Sequence, residues 1–403
     1  MKTKMLSWAL MSILAVSFIG AALALPAYAA RECETCHEKV TPQVVKDWKA
    51  SKMYKLFSCD KCHGNAHMSA DDVAKVKMPT PDTCKPCHAK QVEQFNNSKH
   101  ALAWIAMEAM PKTAAQPGQI MGGMKGCGGC HRIGLEGGKC DSCHTRHKFS
   151  KAEAQRPEAC ATCHMGFDHP QWEMWNTSKH GMISQMEEKI PGGDPGRAPK
   201  CQTCHMQDGD HGVITSWGFL AVRLPLPEDP QWKADRISIL QALNVLDDAG
   251  NPTARLEVVK AGKVARLTEE EWQGPRDKMV KVCTNCHSKA YAMENLERAD
   301  QLIREADHLM AEAIRTVDGL YKDGILERPK DVPFSVDLLT FYEAPTKIEQ
   351  TLYVMLLEHR MRTFQGAFHM NPDYMHWYGW AEMKKDLQEI KEEAGNMRRM
   401  YKK

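Results

Sequence analysis

The chain has 403 residues, with 53 basic side chains against 51 acidic ones and a formal net charge of +2. This balance argues against nucleic acid as a partner, because binding a polyanion requires a strongly basic surface. Length alone is compatible with two or three domains, so class and function must be inferred from motifs.

The amino terminus has the pattern of a secretory signal peptide. Lys2 and Lys4 precede an apolar run that ends at Leu25, and Ala27-Tyr28-Ala29 supplies the small residues of a cleavage site. We therefore expect residues 1–29 to be removed and the mature protein to be periplasmic or otherwise exported. An uncleaved membrane anchor is the alternative, because the apolar run is about long enough to span a bilayer.

All 16 cysteines belong to eight copies of the pentad Cys-x-x-Cys-His. In such a pentad the cysteines bond covalently to haem vinyl groups and the histidine is a proximal iron ligand, whereas zinc ribbons and disulfide frameworks do not require that histidine. We predict eight covalently bound c-type haems, attached through Cys33, Cys36, Cys59, Cys62, Cys84, Cys87, Cys127, Cys130, Cys140, Cys143, Cys160, Cys163, Cys201, Cys204, Cys283 and Cys286. The proximal iron ligands are then His37, His63, His88, His131, His144, His164, His205 and His287.

A repeated sequence predicts ligands for the opposite face of some irons. Ser98-Lys99-His100 follows the third pentad, and Ser178-Lys179-His180 follows the sixth. Two histidine ligands hold an iron in an electron-transfer state and close it to substrate. The repeats, the short loops after pentads and the carboxyl-terminal tail together give the predicted distal ligands His67, His100, His147, His169, His180, His359 and His369.

A third copy of the repeat, Ser51-Lys52-Met53, follows the first pentad and has methionine in the histidine position. Met53 is therefore a candidate iron ligand through sulfur, which would raise the reduction potential relative to a bis-histidine site. The alternative is a methionine that fills a gap in the core.

Glycines surround the fourth pentad, in the run 121–126 before it and at Gly134, Gly137 and Gly138 after it. Such residues let the backbone approach a cofactor closely and leave space beside it, as an iron with an open position requires. Tight packing between the fourth and fifth haems is an equally good explanation.

The spacing of the pentads predicts a mainly α, loop-rich multihaem cytochrome c. Residues 30–214 form a haem-dense region with haems 1–7. Residues 215–281 are predicted to be an irregular connecting segment with a small sheet at most, because prolines and a β-leaning run at 255–259 occur there. Residues 282–403 carry haem 8 and long helices, since apolar residues recur there at helical spacing.

These features resemble the octahaem hydroxylamine oxidoreductase family. The order of the pentads, the run 201–211, Trp217-Gly218-Phe219-Leu220 and the run 366–374 carry the resemblance over nearly the whole mature chain. It implies seven electron-carrying haems, an open catalytic haem at the fourth pentad with an Asp-His pair above it, and a homotrimer. Asp210 and His211 match that pair, whose role is to move protons; His211 as an ordinary axial ligand is the alternative.

The resemblance also bears on the direction of the reaction. In oxidative members a tyrosine from a neighbouring subunit is bonded to the catalytic porphyrin; Tyr374 is the best match and Tyr378 the fallback, although either could simply pack in the tail. We expect oxidation of hydroxylamine or hydrazine, with electrons passing to a redox partner cytochrome or a membrane quinone oxidoreductase. The alternatives are reduction of nitrite or hydroxylamine toward ammonium, and a non-catalytic electron-transfer cytochrome.

Overall fold

The structure is a computed structural model that describes residues 26–107 and 127–403, except positions 195, 329, 331, 335, 341, 342 and 403. The predicted signal peptide lies almost wholly outside the described residues, and so does the glycine-containing run 121–126. A helix that begins at Pro26 and ends at Val40 is the first described element.

Helices and loops make up the described chain, which confirms the mainly α, loop-rich prediction. The α-helices are Pro26–Val40, Pro42–Ala50, Asp60–His63, Pro81–Asn96, Ala103–Ala106, Gly128–His131, Lys151–Ala154, Glu158–Ala161, Gln171–Asn176, Lys179–Lys189, Cys201–His205, Pro230–Ala242, Arg255–Ala261, Glu269–Cys283, Lys289–Lys322, Lys347–Val354, Met361–Phe368, Pro372–Tyr374 and Ala381–Tyr401. Short 3-10 turns lie at Lys52–Lys55, Ala70–Lys75, Arg132–Gly137, Cys140–Ser142 and Gln207–Gly209, and π-helical turns at Met355–Arg360 and Met375–Trp380. The β-structure found among the described residues consists of two isolated bridges, Arg223 with Arg266 and Leu246 with Pro252.

The chain divides into two compact units. The amino-terminal unit contains the chain up to Ala89 together with Cys140–Ala154. The second unit contains Lys90–Lys139 and Gln155–Lys403. Pentads one, two, three and five therefore belong to the first unit, and pentads four, six, seven and eight belong to the second.

Several pentads coincide with a single helical turn, as at Asp60–His63, Gly128–His131 and Cys201–His205. Residues three apart on a helix lie on the same face, so both cysteines of such a pentad can reach one porphyrin edge. The histidine that follows the second cysteine closes the turn. Local geometry thus suits covalent attachment of a haem at these pentads, while any ligand on the opposite face of the iron comes from elsewhere in the chain.

A long helix, Lys289–Lys322, organises the carboxyl-terminal part of the second unit. It begins where the Ser288 side chain accepts a hydrogen bond from the Tyr291 N–H. Its apolar stripe includes Ile303, Met310 and Ile314, each at most 1% exposed. Met310 and Ile314 pack into the main core, and Ile303 packs into a smaller cluster with Met361 and Phe364. Burial of each such side chain contributes about 1.5–3 kcal/mol.

The connecting segment differs from the prediction. It contains three helices, Pro230–Ala242, Arg255–Ala261 and Glu269–Cys283, so the β-leaning interpretation of residues 255–259 was wrong. Leu256 packs against the core and Val259 is 3% exposed. Leu256 and Val259 are three residues apart and so lie on one face of this helix. Their packing against the core outweighs the weak intrinsic strand preference of the segment.

Within the described ranges, no helix combines the length and the apolar character needed to cross a bilayer.

Candidate haem sites and reactive centre

Among the described residues, seven pairs of histidine rings lie 6.0–6.3 Å apart. His169 belongs to two of them, with His131 and with His164. Each of the other five pairs joins a pentad histidine to one from another part of the chain. A metal–imidazole bond is about 2 Å long and the ring nitrogen lies about 1.1 Å from the ring centre, so two imidazoles across one iron have centres about 6.2 Å apart. The observed distances are 6.1 Å for His37 with His67, 6.0 Å for His63 with His147, 6.0 Å for His100 with His164, 6.2 Å for His180 with His287, and 6.3 Å for His205 with His369.

Hydrogen bonds orient these rings for metal ligation. When Nδ1 bonds to an oxygen, Nε2 becomes the nitrogen that can bind iron. The observed Nδ1 partners are Thr41 Oγ1 for His37 (2.8 Å), Lys77 O for His63 (3.1 Å), Asp72 Oδ1 for His67 (2.8 Å), Gln171 Oε1 for His164 (3.1 Å), Ile214 O for His205 (3.0 Å) and Gln365 O for His369 (2.7 Å).

Burial keeps several of these imidazoles neutral. It lowers the pKa of His164 to about 4 and the pKa of His369 to about 4, and it also lowers the pKa of His205. A metal binds the neutral form of imidazole, so the environment favours the ligating state near neutral pH. Ring separation, hydrogen bonding and protonation therefore all fit haem iron at these five pairs.

His131, the histidine of the fourth pentad, is held by the backbone. Its Nδ1 lies 2.7 Å from the carbonyl oxygen of Ala103, which directs Nε2 away from the backbone and toward the haem position. Burial lowers its pKa. The ring across from it belongs to His169, with centres 6.3 Å apart and planes at 81°.

Asp168 and His169 lie in side-chain contact beside His131. The Nδ1 atom of His169 is 3.1 Å from Oδ2 of Asp168, and both side chains are about one-third exposed. Burial alone would raise the pKa of Asp168, but the hydrogen bond and charge of His169 outweigh it and lower that pKa overall. Since the carboxylate occupies Nδ1, Nε2 is the atom that can face an iron or a substrate.

Aromatic packing fixes the position of His169. The ring of Phe219 stacks on it at 5.7 Å and 27°. Phe219 is followed by Leu220, whose carbonyl oxygen accepts a hydrogen bond from Arg360 Nη2 at 3.2 Å. The carboxyl-terminal helices therefore hold the loop that covers one face of the histidine.

The sequence-predicted pair Asp210–His211 has a different described environment. Asp210 Oδ1 accepts the Gly212 N–H at 2.8 Å, His211 Nδ1 lies 2.8 Å from Gly209 O, and the His211 N–H donates to Gln94 Oε1 at 3.2 Å. The catalytic role of Asp210 and His211 stays a prediction. The pair that the structure brings to His131 is Asp168–His169.

Sequence reasoning did not select Asp168. The same Asp-His dipeptide stands directly after the sixth pentad, and it could have been weighed against Asp210–His211 as a second candidate. His169 itself was predicted, but as an axial ligand.

Two further predicted residues, Met53 and His359, occupy defined positions. Met53 is half-buried in the turn Lys52–Lys55, where its N–H donates to Ser51 Oγ at 3.0 Å. His359 Nδ1 is 2.5 Å from Asp386 Oδ2. Among the described ring contacts, none joins His359 to a pentad histidine. Its role as a ligand stays a prediction.

Tyr374 lies beside the fallback residue Tyr378, with ring centres 4.9 Å apart. Burial raises the pKa of Tyr374. Tyr378 is 55% exposed and Trp377 is 60% exposed, so these two side chains form an exposed aromatic surface with Tyr374 at its edge. A surface of this kind can reach a neighbouring molecule.

Comparisons with known proteins agree with this geometry. Residues 31–222 and 253–331 match the family described as seven times multi-haem cytochrome CxxCH. A probable nitrite reductase-hydroxylamine oxidoreductase fusion protein of Kuenenia stuttgartiensis is 28% identical over 93% of this chain. The match covers 52% of that protein, so the chain spans about half of its relative's length.

Two solved structures share the fold. One is the reducing HAO-like (hydroxylamine oxidoreductase-like) protein complex of Kuenenia stuttgartiensis, with a TM-score of 0.67, 26% identity, and coverage of 92% of this chain and 85% of that chain. The other, a hypothetical multiheme protein, has a TM-score of 0.67 and 22% identity, with coverage of 95% and 97%. The resemblance to hydroxylamine oxidoreductases is therefore confirmed, and the chain belongs to the family of multihaem cytochromes that bind c-type haems covalently through CxxCH motifs.

Proposed function

We propose that this protein is an exported octahaem oxidoreductase that converts a small nitrogen compound at the haem attached through Cys127 and Cys130. The observation that carries this proposal is the Asp168–His169 pair, which lies directly against His131. A reaction of hydroxylamine or nitrite moves several protons together with several electrons, so it needs a titrating group beside the metal and a chain of redox centres.

Each residue of the centre has a separate role. Cys127 and Cys130 would anchor the haem, and His131 would bind its iron, while the haem supplies the electron-accepting and electron-donating chemistry. His169 holds or releases a proton at Nε2. Asp168 orients the ring through Nδ1 and stabilises its charged form, as a carboxylate beside a histidine does.

Contacts between cysteines of different pentads define a path for electrons. The free thiols of the structure stand for the thioether sulfurs of the haem-loaded protein. Cys130 hydrogen-bonds to Cys163, and Cys160 hydrogen-bonds to Cys201. Each of these sulfurs would sit on a porphyrin edge, so the edges of haems four, six and seven would come close together. This proximity supports rapid transfer from the reactive centre.

Reduction is the direction that we favour. A solved relative that is 26% identical is a reducing HAO-like complex, and a curated relative is named in part as a nitrite reductase. The substrate on this proposal is nitrite or hydroxylamine, and a partner cytochrome or membrane quinone oxidoreductase supplies the electrons.

Oxidation of hydroxylamine or hydrazine is the second candidate, and Tyr374 with its exposed neighbour Tyr378 favours it. In a homotrimer, which we also propose, one of these rings would reach the haem of a neighbouring subunit. Intact mass and peptide mapping of the holoprotein detect a tyrosine–porphyrin bond, and Tyr374→Phe and Tyr378→Phe identify its source. Such a bond, with faster oxidation than reduction, would reverse our choice of direction.

A non-catalytic electron carrier is the remaining candidate. The 6.3 Å between the rings of His131 and His169 falls within the 6.0–6.3 Å range of the five bis-histidine pairs, which favours His169 as an axial ligand. In that case no iron would be open to substrate.

Electron paramagnetic resonance of the oxidised holoprotein distinguishes an enzyme from a carrier. If His169 is the proton donor, the wild type contains one high-spin haem, and His169→Ala retains it while slowing turnover with nitrite or hydroxylamine by about 10²–10⁴-fold. If His169 is a ligand, the wild type has no such haem and the variant creates one, which would refute the proposal.

Two companion variants complete this test. Asp168→Asn should keep the high-spin signal and lose part of the activity, because the ring is no longer oriented by a charge. His308→Ala is the matched control: His308 also pairs with an aspartate, Asp235, at 3.0 Å, but its side chain is 49% exposed. It should leave spectrum and turnover unchanged.

A further inference from the structure

We propose that Met53 is the sixth ligand of the iron held by His88, so that one haem of this protein has His-Met ligation. The inference concerns electron transfer and does not depend on the direction or substrate of the reaction proposed above. It starts from the three copies of the repeat, which share one turn at the serine although only two of them end in histidine.

The same backbone turn occurs in all three copies. The serine N–H donates to the carbonyl oxygen of an aromatic residue three positions earlier, and each serine is at most 6% exposed. The pairs are Ser51 with Trp48 (2.9 Å), Ser98 with Phe95 (2.8 Å), and Ser178 with Trp175 (3.0 Å). In each copy the serine hydroxyl also accepts a backbone N–H just beyond the turn, from Met53, Ala101 or Gly181.

This turn delivers a ligand in the other two copies. The ring of His100 lies 6.0 Å from that of His164, and the ring of His180 lies 6.2 Å from that of His287. Both distances suit one iron between the rings. Met53 follows its serine by two residues, as His100 and His180 do, although the chain continues there as the 3-10 turn Lys52–Lys55 rather than as the helix that carries His180. Its side chain therefore leaves the shared serine turn at the position from which the other two copies provide a ligand.

The order of the copies along the chain selects the iron. The copy that follows the third pentad provides His100, which faces His164 of the sixth pentad. The copy that follows the sixth pentad provides His180, which faces His287 of the eighth. Each copy thus serves a pentad two or three places farther on, which leaves the third and fourth pentads for the copy after the first. The fourth has His169 across from His131, as the proton donor proposed above or as a ligand, so that side of its haem is already taken.

Position in the fold supports the third pentad. Met53 and His88 belong to the same compact unit, in which His37 and His63 already face His67 and His147. Among the described ring contacts, none joins His88 to another histidine. A thioether ligand there is chemically suited to c-type haem, since His-Met ligation is common in cytochromes c.

His-Met ligation raises the reduction potential of a haem relative to bis-histidine ligation. The haem of His88 would then hold an electron more tightly than its bis-histidine neighbours. The thiol of Cys84, in the same pentad, hydrogen-bonds to that of Cys140 in the fifth pentad, so this haem would exchange electrons with the fifth one.

The test uses the oxidised, haem-loaded protein and reads ligation rather than activity. Near-infrared magnetic circular dichroism separates methionine–iron from bis-histidine charge-transfer bands. We expect the wild type to show one methionine-ligated haem. Met53→Ala should lose that band and gain a high-spin signal, and Met53→His should convert it to a bis-histidine band and lower one reduction potential.

Met400→Ala is the control, because Met400 is 76% exposed in the last helix and should leave every band unchanged. Equal haem content in all variants shows that attachment is intact. An experimental structure of the holoprotein then identifies the iron, through a bond between Met53 Sδ and the haem linked to Cys84 and Cys87. A wild type without a methionine band, or a Met53 bond to any other iron, would overturn the proposal.

Discussion

Replacing Asp307 by asparagine tests how the core supports the reactive centre. Asp307 is 0% exposed, and both of its carboxylate oxygens are engaged. Oδ1 accepts from Arg360 Nη2 at 2.7 Å, and Oδ2 accepts from Trp232 Nε1 at 2.8 Å. Arg236 Nε lies 3.2 Å from Oδ2, although it is not aligned for a hydrogen bond.

The expected loss of stability is large because two guanidinium groups depend on this one carboxylate. Arg236 and Arg360 are 2% and 1% exposed, so water cannot replace the lost charge. Breaking a buried ion pair by removing one partner costs about 3–5 kcal/mol. Unfolding entropy is about 2.1 cal/mol/K per residue, so in the second unit, of about 300 residues, about 1 kcal/mol shifts the Tm by about 1.6 °C. Asp307→Asn should therefore lower the Tm by about 5–8 °C.

Scanning calorimetry of the holoprotein measures this effect, with Asp323→Asn as the matched control. Asp323 pairs with Arg398 at 2.8 Å, but the two side chains are 50% and 39% exposed, and such pairs contribute about 0–1 kcal/mol. Turnover should also fall in the Asp307 variant, because Arg360 holds the loop that carries Phe219. Equal Tm values for the two variants would refute the reasoning about buried charge.

Two further predictions concern the surroundings of the axial histidines. The pKa of Asp72 is lowered from its ordinary value of 3.8 to about 2, and the hydrogen bond from the Ser69 N–H is the largest cause. The stability that the Asp72 carboxylate contributes is therefore complete above about pH 4 and is lost as the pH falls toward 2. Asp72→Asn should therefore make the Tm fall less than that of the wild type between about pH 4 and pH 2. Parallel curves of Tm against pH for variant and wild type would contradict this prediction. At Gly181 a Cβ would lie 2.0 Å from the Trp175 carbonyl oxygen, whereas at Gly274 it would meet nothing within 4 Å. Gly181→Ala should lower the Tm and disturb the low-spin signal of the haem bound by the adjacent histidine, while Gly274→Ala should raise stability by up to about 1 kcal/mol; equal effects on Tm would show that the close approach does not matter.

Covalent attachment could be predicted from sequence because it is local. Two cysteines and a histidine within one helical turn are sufficient to recognise it. The partner across the iron is a long-range contact: His205 meets His369 from the far end of the chain, and no local pattern links them. The Ser-Lys-His repeat pointed to His100 and His180 because a repeated turn keeps its geometry wherever it occurs.

The reactive centre and the connecting segment needed tertiary information. An Asp-His dipeptide occurs at 168–169 and at 210–211, and sequence alone does not say which of them lies near His131. Residues 255–259 contain β-branched side chains, but their helical conformation follows from a core that lies beside Leu256 and Val259. Propensity is a weak guide where packing decides.

The contacts between cysteines of different pentads have a consequence for substitutions at these positions. Cys84 lies beside Cys140, and Cys160 lies beside Cys201. Each contact joins attachment points that belong to two different haems. A larger side chain at any of these four positions should therefore displace two haems rather than one.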